Sequence, residues 1–448
     1  MTHRGRRTWT SALDADADAD DARAACERYA RHLALDGFGV DGQRALCAAR
    51  VLVVGAGGLG CPLALYLAGA GVGAIEIVDG DRVEVSNLHR QVCHEYARAG
   101  EAKCASLRRR MLALNDRVEV TTREEYATRE NVCEMVAGVD LVCDCTDNPK
   151  TRYLLSDACR SAGTPLVSAA AVGFEGQLTV LCARRDGKNG EWVPAPCYRC
   201  LFPTPPATGD RATCGGSGVL GVVPGVMGTF QALETIKTLA GIGESMTGHL
   251  MMFDALSTRP TTTLRLANRM NPECPVCCGE EKFDVATYDY DGFLSTPCPF
   301  AKKTKTGGLD VTAAPVHGPG ASIDEALQRN GRWKRMQARD VEERFANEGD
   351  DFLLVDVRPK NIHRIASLKG SVSVPISVFD EDESQREITD AISRGVKTVC
   401  FVCAGGNNSQ RAAEWFAKTE AARDVEVFDL CGGLASWRRE VDASFPTL

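Results

Sequence analysis

Hydrophobic and polar positions follow two periods between about residue 45 and residue 270. Short apolar runs typical of buried strands are RVLVVG, AIEIVD, VEVTT, DLVCDC, PLVSAA and QLTVLC. Helical spacing lies between them, as from Leu59 to Ala70. One further helical stripe consists of Val222, Val226, Phe230, Leu233, Ile236 and Leu239. Strands that alternate with helices predict an α/β fold, with a Rossmann-like, mostly parallel sheet covered on both faces.

The pattern changes after residue 285. The stretch STPCPFAKKTKTGGLDVTAAPVHGPGAS is rich in Pro, Gly, Thr and Lys and has little periodicity, which predicts a linker. A smaller α/β pattern follows, with the apolar runs FLLVDVRP, SVSVPI, KTVCFVCAGG and VEVFDL. We therefore expect a disordered acidic N-terminus at 1–24, a first domain at 25–285, a linker at 286–330 and a second domain at 331–448.

Charge and composition narrow the classes of binding partner that the protein can have. The chain of 448 residues has a formal net charge of -8 and no long basic block, which argues against direct nucleic-acid binding. No run is apolar enough to span a membrane, and the N-terminus lacks an apolar signal core, so we expect a cytosolic protein without membrane contact. Twenty cysteines are therefore interpreted as metal ligands, reactive thiols and core thiols rather than as a disulfide framework.

The run VLVVGAGGLG, from Val51 to Gly60, predicts a strand that meets a helix over a bound phosphate. Gly55, Gly57 and Gly60 have the spacing of a dinucleotide loop, and Asp79 ends the next strand, where an acid can hold a ribose hydroxyl. Taken alone, these residues favour NAD or FAD.

The following residues favour ATP instead. The stretch DGDRVEVSNLHRQ and its sequel supply Asp79, Asp81, Asn87, Arg90 and Lys103. A triphosphate needs such additional cations and polar groups, whereas a dinucleotide offers only a two-phosphate bridge. LVCDCTDN ends another strand with Asp144 and Asp147, and acids beside phosphates suit Mg²⁺.

GAGGLG, DGDRVEVSNLHRQ, DCTDN, CYRC and QALETIK together resemble the ThiF/MoeB-type adenylating enzymes, relatives of the ubiquitin-activating enzymes, from roughly Arg28 to Cys278. The resemblance implies ATP contacts from Gly58, Asp79, Asn87, Arg90 and Lys103. It also implies that Asp147 handles Mg²⁺ and that Arg31 reaches the ATP site of a neighbouring subunit, hence a homodimer. The implied substrate is the C-terminal carboxylate of a ubiquitin-like protein. With a pKa of about 3.5 it is already ionised and needs no general base.

Two C-x₂-C pairs predict a metal site. Cys197, Cys200, Cys274 and Cys277 can close a tetrahedral Zn²⁺ site that leaves no position for water, so the zinc is expected to be structural. Cys278 is an alternative to Cys277, although the two-residue spacing favours Cys277. The resemblance implies the same zinc.

Cys214 stands apart from the other thiols. It lies in PPATGDRATCGGSGVLGVV, a glycine-rich loop ahead of the long helix. Glycines around a thiol indicate mobility and close backbone approach, which favours a chemical role over packing. Adenylating enzymes of the resembling family carry a cysteine in the equivalent crossover loop.

FVCAGGNNSQRAAEWF, with LLVDVRP and DLCGGLASWRREVDASFP, resembles the active loop of rhodanese sulfurtransferases from about Met336 to Leu448. Backbone N–H groups and a helix N-terminus around Cys403 would stabilise a thiolate and a persulfide. A cysteine phosphatase needs C-x₅-R, but Ser409 stands at that position and the nearest arginine is Arg411. Relatives usually have a basic residue at the position of Ala404 and Asp at the position of Asn408. We expect these departures to alter the choice of sulfur donor or to slow the sulfur transfer.

The two halves together predict one reaction sequence. ATP-dependent adenylation of a ubiquitin-like sulfur carrier that ends in Gly-Gly would be followed by sulfur transfer from Cys403, giving a C-terminal thiocarboxylate. The resemblance implies tRNA 2-thiolation or molybdenum cofactor synthesis as the pathway, with a cysteine desulfurase or thiosulfate as persulfide donor. Two alternatives are an activating enzyme for protein conjugation through a Cys214 thioester, and a non-catalytic scaffold, which the intact run from Asp79 to Lys103 disfavours.

Overall fold

A computed structural model describes residues 19–186, 192–205, 218–266, 270–279, 283–295, 333–379 and 385–446. The chain divides into two compact units, each with its own sheet.

The first unit contains an eight-stranded sheet and a separate two-stranded ribbon. The strands are β1 Arg50–Val54, β2 Ala74–Val78, β3 Glu119–Arg123, β4 Leu141–Asp144, β5 Leu166–Val172, β6 Glu175–Leu181, the ribbon pair β7 Arg184–Asp186 and β8 Trp192–Pro194, β9 His249–Asp254 and β10 Thr261–Arg265. The order is β10-β9-β6-β5-β4-β1-β2-β3. The five strands from β5 to β3 are parallel, and β6, β9 and β10 are antiparallel.

Helices pack on both faces of this sheet. They are α1 Ala19–Leu33, α2 Gly39–Ala48, α3 Gly60–Ala70, α4 Lys103–Leu114, α5 Val132–Val136, α6 Pro149–Ala162, α7 Tyr198–Leu201, α8 Val222–Ala240, α9 Pro275–Cys278 and α10 Tyr290–Ser295. Val51 and Val53 of β1 belong to one buried cluster, and Leu52 and Val54 belong to the cluster on the other face. The predicted mostly parallel α/β sheet is thus confirmed. Within the described ranges, no helix is long and apolar enough to cross a membrane.

Helix α8 packs against the core with part of the predicted apolar stripe and with polar residues beside it. Phe230, Ile236 and Leu239 of the stripe pack against the buried cluster that contains Val51. Val222 and Leu233 of that stripe are exposed, whereas Gln231, Glu234 and Thr235 are buried. The buried polar side chains are hydrogen bonded: the Gln231 amide donates to the carbonyl oxygens of Asp144 and Val167 at 2.8 Å each. The stripe therefore covers only part of the packed face, because backbone acceptors of the sheet also satisfy buried polar side chains.

Both ends of the first unit include residues for which the sequence predicts a disordered N-terminus or a linker. Helix α1 begins at Ala19 and buries Ala25, although the sequence predicts disorder through residue 24. Helix α10 buries Tyr290 and Leu294 in the core, although the sequence predicts a linker from residue 286. The Tyr290 hydroxyl donates to the buried Asp157 at 2.9 Å, a contact that periodicity does not reveal. Residues 1–18 and 296–332 lie outside the described residues.

The second unit is a five-stranded parallel sheet. Its strands are β11 Lys334–Met336, β12 Phe352–Asp356, β13 Val372–Ser373, β14 Thr398–Val402 and β15 Glu426–Leu430, in the order β11-β15-β14-β12-β13. Its helices are α11 Ala338–Glu348, α12 Lys360–Ile365, α13 Arg386–Ser393, α14 Asn408–Phe416 and α15 Gly433–Glu440. Val399 and Phe401 of β14 face one buried cluster, and Cys400 and Val402 face the other, so this sheet is also covered on both sides.

Candidate functional site

The glycine loop joins the carboxyl end of β1 to the start of α3. Gly55 has a φ of 103°, and a Cβ at Gly60 would lie 1.9 Å from the Gly55 carbonyl oxygen. A Cβ at Gly58 would lie 3.0 Å from Pro224 of α8. The loop therefore closes on itself and leaves its backbone beside the N-terminus of α3, which is the arrangement that suits a phosphate.

Asp79 fastens this loop to the end of β2. Its carboxylate accepts the N–H of Ala56 at 2.7 Å and the N–H of Asp81 at 2.8 Å. Burial raises the pKa of Asp79, while these backbone donors and Lys103 act in the opposite direction. Asp79 therefore fixes the position of the glycine loop, besides any contact that it makes with a ribose.

Lys103 begins α4 and points back to the same strand end. Its ammonium lies 2.7 Å from Asp81, and the residue is only 5% exposed. The Tyr126 hydroxyl also donates to Asp81 at 2.5 Å. Burial opposes the charged form of Asp81, but the hydrogen bonds from Lys103 and Tyr126 outweigh it and lower the pKa of Asp81. A fixed cation is therefore held close to the glycine loop.

The segment after β2 presents Asn87 and Arg90 together. The Arg90 guanidinium donates to Asn87 Oδ1 at 2.7 Å and lies 2.7 Å from His89 Nε2. Burial and the Arg90 charge lower the pKa of His89, so the ring is neutral at neutral pH. The other nearby histidine, His94, is buried and contacts the Ala56 carbonyl oxygen at 2.9 Å. Its position agrees with a structural role rather than that of a base.

The two acids that follow β4 have different surroundings. Asp144 is buried and accepts from Thr146 and from the Ser168 hydroxyl at 2.8 Å. Asp147 is exposed and makes no hydrogen bond or ion pair with any residue that the structure describes. Only Asp147 is therefore open to a metal ion, a distinction that the motif DCTDN does not carry.

The structure brings the four predicted zinc ligands together. The sulfur atoms of Cys197, Cys200, Cys274 and Cys277 all lie within 4.8 Å of one another. Cys197 precedes α7 and Cys274 precedes α9, so each C-x₂-C pair spans one short helical turn. The backbone N–H of Asn271 donates to Cys200 Sγ at 3.4 Å. Four clustered thiols can hold Zn²⁺, and the exposed Cys278 is not among them.

Two predicted site residues do not join these clusters. Arg31 is exposed on α1 and makes no hydrogen bond or ion pair with another described residue. Cys214 falls within 206–217, outside the described residues. The structure resumes at Gly218, whose carbonyl oxygen accepts the N–H of Gly173 at 2.9 Å beyond the end of β5.

In the second unit, Cys403 lies at the carboxyl end of the central strand β14. The residue is 4% exposed, and its sulfur accepts the backbone N–H of Gly406 at 3.1 Å. The Ser409 hydroxyl lies 3.4 Å from the same sulfur. The next arginine along the chain, Arg411, donates to Asn408 Oδ1 at 3.3 Å. The loop therefore surrounds a single sulfur atom.

Gly432 and Gly433 press the start of α15 against this loop. A Cβ at Gly433 would lie 2.4 Å from the Cys403 carbonyl oxygen and 2.6 Å from the Gly406 nitrogen. The N–H groups of Leu434 and Ala435 donate to the carbonyl oxygens of Cys403 and Ala404, at 2.8 and 3.0 Å. Sequence reasoning missed this role, although the GG pair within DLCGGLASW was a visible signal.

The fold and the two loops define the class: an adenylating α/β domain followed by a rhodanese domain. Residues 29–276 match the ThiF family, and residues 337–440 match the rhodanese-like domain. The adenylyltransferase and sulfurtransferase MOCS3-2 of Zea mays is 40% identical over 422 residues, covering 94% of this chain and 80% of that protein. MOCS3 of Mus musculus is 38% identical over 432 residues, with 94% and 86% coverage. The chain belongs to the ThiF family and, within it, to the MOCS3 adenylyltransferases and sulfurtransferases.

Membership of this family confirms the predicted enzyme class and implies the use of ATP. A crystal structure of E. coli MccB with ATP is 20% identical, with a TM-score of 0.46, and the match covers 61% of this chain and 86% of that one.

Proposed function

We propose that this enzyme adenylates the C-terminal glycine carboxylate of a ubiquitin-like sulfur carrier that ends in Gly-Gly, and then converts it to a thiocarboxylate with sulfur from Cys403. The observation that carries the proposal is the presence, on one chain, of a polar-lined phosphate loop and an enclosed cysteine that accepts a backbone N–H. The first suits an acyl adenylate and the second suits a persulfide.

In the adenylation step, the backbone at Gly58 and the side chains of Asn87, Arg90 and Lys103 hold the phosphates, and Asp79 holds the ribose. Asp147 would hold Mg²⁺, and the bound ion would neutralise phosphate charge. A carboxylate oxygen of the carrier attacks the α-phosphorus, and the bond to pyrophosphate breaks. The carboxylate is already ionised, so no proton has to be removed. This is consistent with a site whose two nearby histidines are engaged in structural contacts.

In the sulfur step, the Cys403 thiolate attacks the sulfane sulfur of a desulfurase persulfide or of thiosulfate, and a thiolate or sulfite leaves. The terminal sulfur of the resulting persulfide attacks the acyl adenylate, and AMP leaves. A second thiol, for which we propose Cys214, then attacks Cys403 Sγ. The carrier thiocarboxylate departs, and the Cys214–Cys403 disulfide that forms is reduced by a small dithiol or a protein dithiol.

An exposed apolar surface near the nucleotide side supports a protein as the acyl substrate. It consists of Val172, Phe174, Leu220, Val222 and Leu256, which are 44–71% exposed. Backbone hydrogen bonds join the turns that carry these residues, from Leu220 N–H to Gly173 at 3.0 Å and from Ala255 N–H to Phe174 at 2.9 Å. The surface lies at the carboxyl end of β5, next to the strand that leads to Asp147. We assign it to the carrier, because exposed apolar patches of this kind mark protein-binding sites.

The proposal includes a structural Zn²⁺ at Cys197, Cys200, Cys274 and Cys277, and a homodimer in which Arg31 serves the neighbouring ATP site. It also places the enzyme in the cytosol, in tRNA 2-thiolation or molybdenum cofactor synthesis. The proposed domain limits are those of the sequence, except that α1 and α10 extend the adenylating domain to residues 19–295.

ATP–pyrophosphate exchange tests the first step. Exchange should require Mg²⁺ and a carrier that ends in Gly-Gly, and Asp147→Ala should abolish it while the protein stays folded. The matched control is Asp116→Ala, an exposed acid at the opposite, amino end of the sheet, which should leave exchange unchanged. Robust exchange without a carrier, or full exchange by Asp147→Ala, would contradict the proposal.

A further inference from the structure

Ser409 is the one side chain of the Cys403 loop, within the described residues, whose hydroxyl lies beside the sulfur. The residue is 0% exposed, and its Oγ lies 3.4 Å from Cys403 Sγ. A serine hydroxyl both donates and accepts, so it can serve a thiol and a thiolate in turn. The reaction proposed above uses Cys403 but gives Ser409 no task.

Behind Ser409 lies a wholly buried ion pair. Arg335 of β11 and Asp429 of β15 are each 0% exposed at their side chains, with Arg335 Nε 3.2 Å from Asp429 Oδ1. Burial raises the pKa of Asp429 to about 6, while Arg335 and a hydrogen bond from Ser409 act in the opposite direction. A buried ion pair is an expensive way to stabilise a core, since apolar residues of similar volume do as well or better.

We propose that Ser409 is a positioning residue for the Cys403 sulfur and that the Arg335–Asp429 pair holds its hydroxyl in place. The inference rests on the proposed function, because it assumes that the sulfur of Cys403 reacts as an anion. In the thiol state, Ser409 donates to Asp429 and accepts the S–H of Cys403. In the thiolate state, the same hydroxyl hydrogen turns to the sulfur.

Arg335 makes this exchange of partners possible. The Asp429 carboxylate competes with the thiolate for the one hydroxyl hydrogen, and its negative charge opposes a second anion nearby. The guanidinium neutralises that charge and weakens the carboxylate as a competing acceptor. A hydrogen bond to a charged group contributes more than one between neutral groups, so the thiolate gains from the turn.

The same unit contains a matched buried pair that lacks this connection. Arg358 Nη2 lies 2.7 Å from Asp356 Oδ2, and the side chains are 6% and 0% exposed. Arg358 donates onward to the carbonyl oxygen of Ala366. None of the hydrogen bonds of this pair described here reaches Cys403 or Ser409. Asp356→Asn therefore removes a buried charged pair without removing a hydrogen bond to the Cys403 loop.

The test measures alkylation of Cys403 by iodoacetamide in the full-length protein, by peptide mass spectrometry across pH. Ser409→Ala should slow alkylation at neutral pH about tenfold and move its pH profile upward by about one unit, since the thiolate loses a donor. Arg335→Gln should act in the same direction, and Asp356→Asn should leave the profile unchanged. Thermal unfolding establishes that each variant is folded.

The inference is overturned if folded Ser409→Ala is alkylated at the wild-type rate, or if Asp356→Asn slows alkylation as much as Arg335→Gln. Failure of the proposed function has a different signature. If Cys403→Ala still delivers sulfur to the carrier, Cys403 is not the sulfur nucleophile, whereas the alkylation rates of the other variants still decide the role of Ser409.

Discussion

Two loops of this molecule share a strand–loop–helix arrangement but differ in where their functional side chains come from. Each follows the middle strand of a run of parallel strands, β1 in the first unit and β14 in the second, and each leads into a helix. The loop after β1 contains only small and apolar side chains, so its polar partners come from other strand ends, such as Asp79 and Asp147. The loop after β14 carries its own reactive atom, the sulfur of Cys403.

The difference follows from the species that each loop would hold. A triphosphate is large and highly charged, so cations and acids must reach it from several elements, and its loop has to stay open. A thiolate or persulfide is one or two atoms long, so donors of the same loop can reach it. The N–H of Gly406 and the hydroxyl of Ser409 lie 3.1 and 3.4 Å from Cys403 Sγ. The second loop is accordingly covered by the start of α15, and Cys403 is 4% exposed.

The sharpest test of the comparison separates the two loops chemically. Cys403→Ala should abolish thiocarboxylate formation and leave carrier-dependent pyrophosphate exchange at the wild-type level, because the nucleophile is lost and the first unit is unaltered. Exchange and carrier mass should be measured on the same preparation. Sulfur delivery by Cys403→Ala at the wild-type rate would remove the second loop from the reaction.

Lys103→Ala should have the converse effect. It removes the buried cation beside the glycine loop, so exchange should fall by about 100-fold, as expected for a charge-assisted hydrogen bond to phosphate. Persulfide loading of Cys403, measured by mass spectrometry of the intact protein, should be unchanged. Lys150→Ala is the control, because this lysine pairs with the exposed Asp291 at 2.7 Å. An equal loss of exchange in both variants would contradict the specific role of Lys103.

Glycine substitutions test whether both loops depend on close backbone approach. Gly60→Ala would place a Cβ 1.9 Å from a carbonyl oxygen, and Gly406→Ala combines a φ of 83° with a Cβ 2.8 Å from the Gly432 nitrogen. Each should destabilise its own unit by about 2 kcal/mol or more and impair its own half-reaction.

The controls for these two variants lie in the same loops. A Cβ at Gly405 would meet nothing within 4 Å, and one at Gly57 would make an ordinary contact with Gln91 at 3.4 Å. Gly405→Ala and Gly57→Ala should therefore leave the melting temperature nearly unchanged. A large loss of stability in either would show that the loops are tighter than the structure indicates.

The zinc cluster belongs to the first unit only, so its loss should not affect both units. Cys200→Ser should release the metal and lower the melting temperature of the first unit by about 10 °C, because the site contributes folding energy outright. Persulfide loading of the second unit should persist. Metal analysis that finds no zinc in untreated protein would reject the site.

The sequence alone predicts the local parts of both loops, because strand, loop and helix are adjacent in the chain. The apolar run before Gly55 and the run before Cys403 both indicate their strands correctly. The sequence does not predict contacts between distant segments. Gln231 has the composition of a surface residue, but in the fold it donates to carbonyl oxygens of β4 and β5. Asp144 and Asp147 are equivalent in the motif, but in the fold Asp144 accepts the Ser168 hydroxyl. The Gly433 contact with the Cys403 loop is likewise a tertiary feature.

The smallest expected effect is a difference in pH dependence between the units, and it comes from one buried carboxyl in each. Burial raises the pKa of Asp157 to about 6 despite Arg199, and raises the pKa of Asp429 to about 6 despite Arg335. Between pH 4 and 6 the folded protein therefore retains a proton that the unfolded chain releases, so the free energy of unfolding falls as pH rises through this window. Each of the two carboxyls contributes a slope of at most about 1.4 kcal/mol per pH unit. Asp429→Asn should remove the pH-dependent slope from the second unit alone, and Asp157→Asn from the first, because the asparagine oxygen still accepts from the arginine but no longer titrates.

Thermal unfolding of the wild type and the two variants between pH 4 and 7 measures the slopes. Parallel curves for wild type and Asp429→Asn would show that Arg335 keeps Asp429 ionised throughout this range.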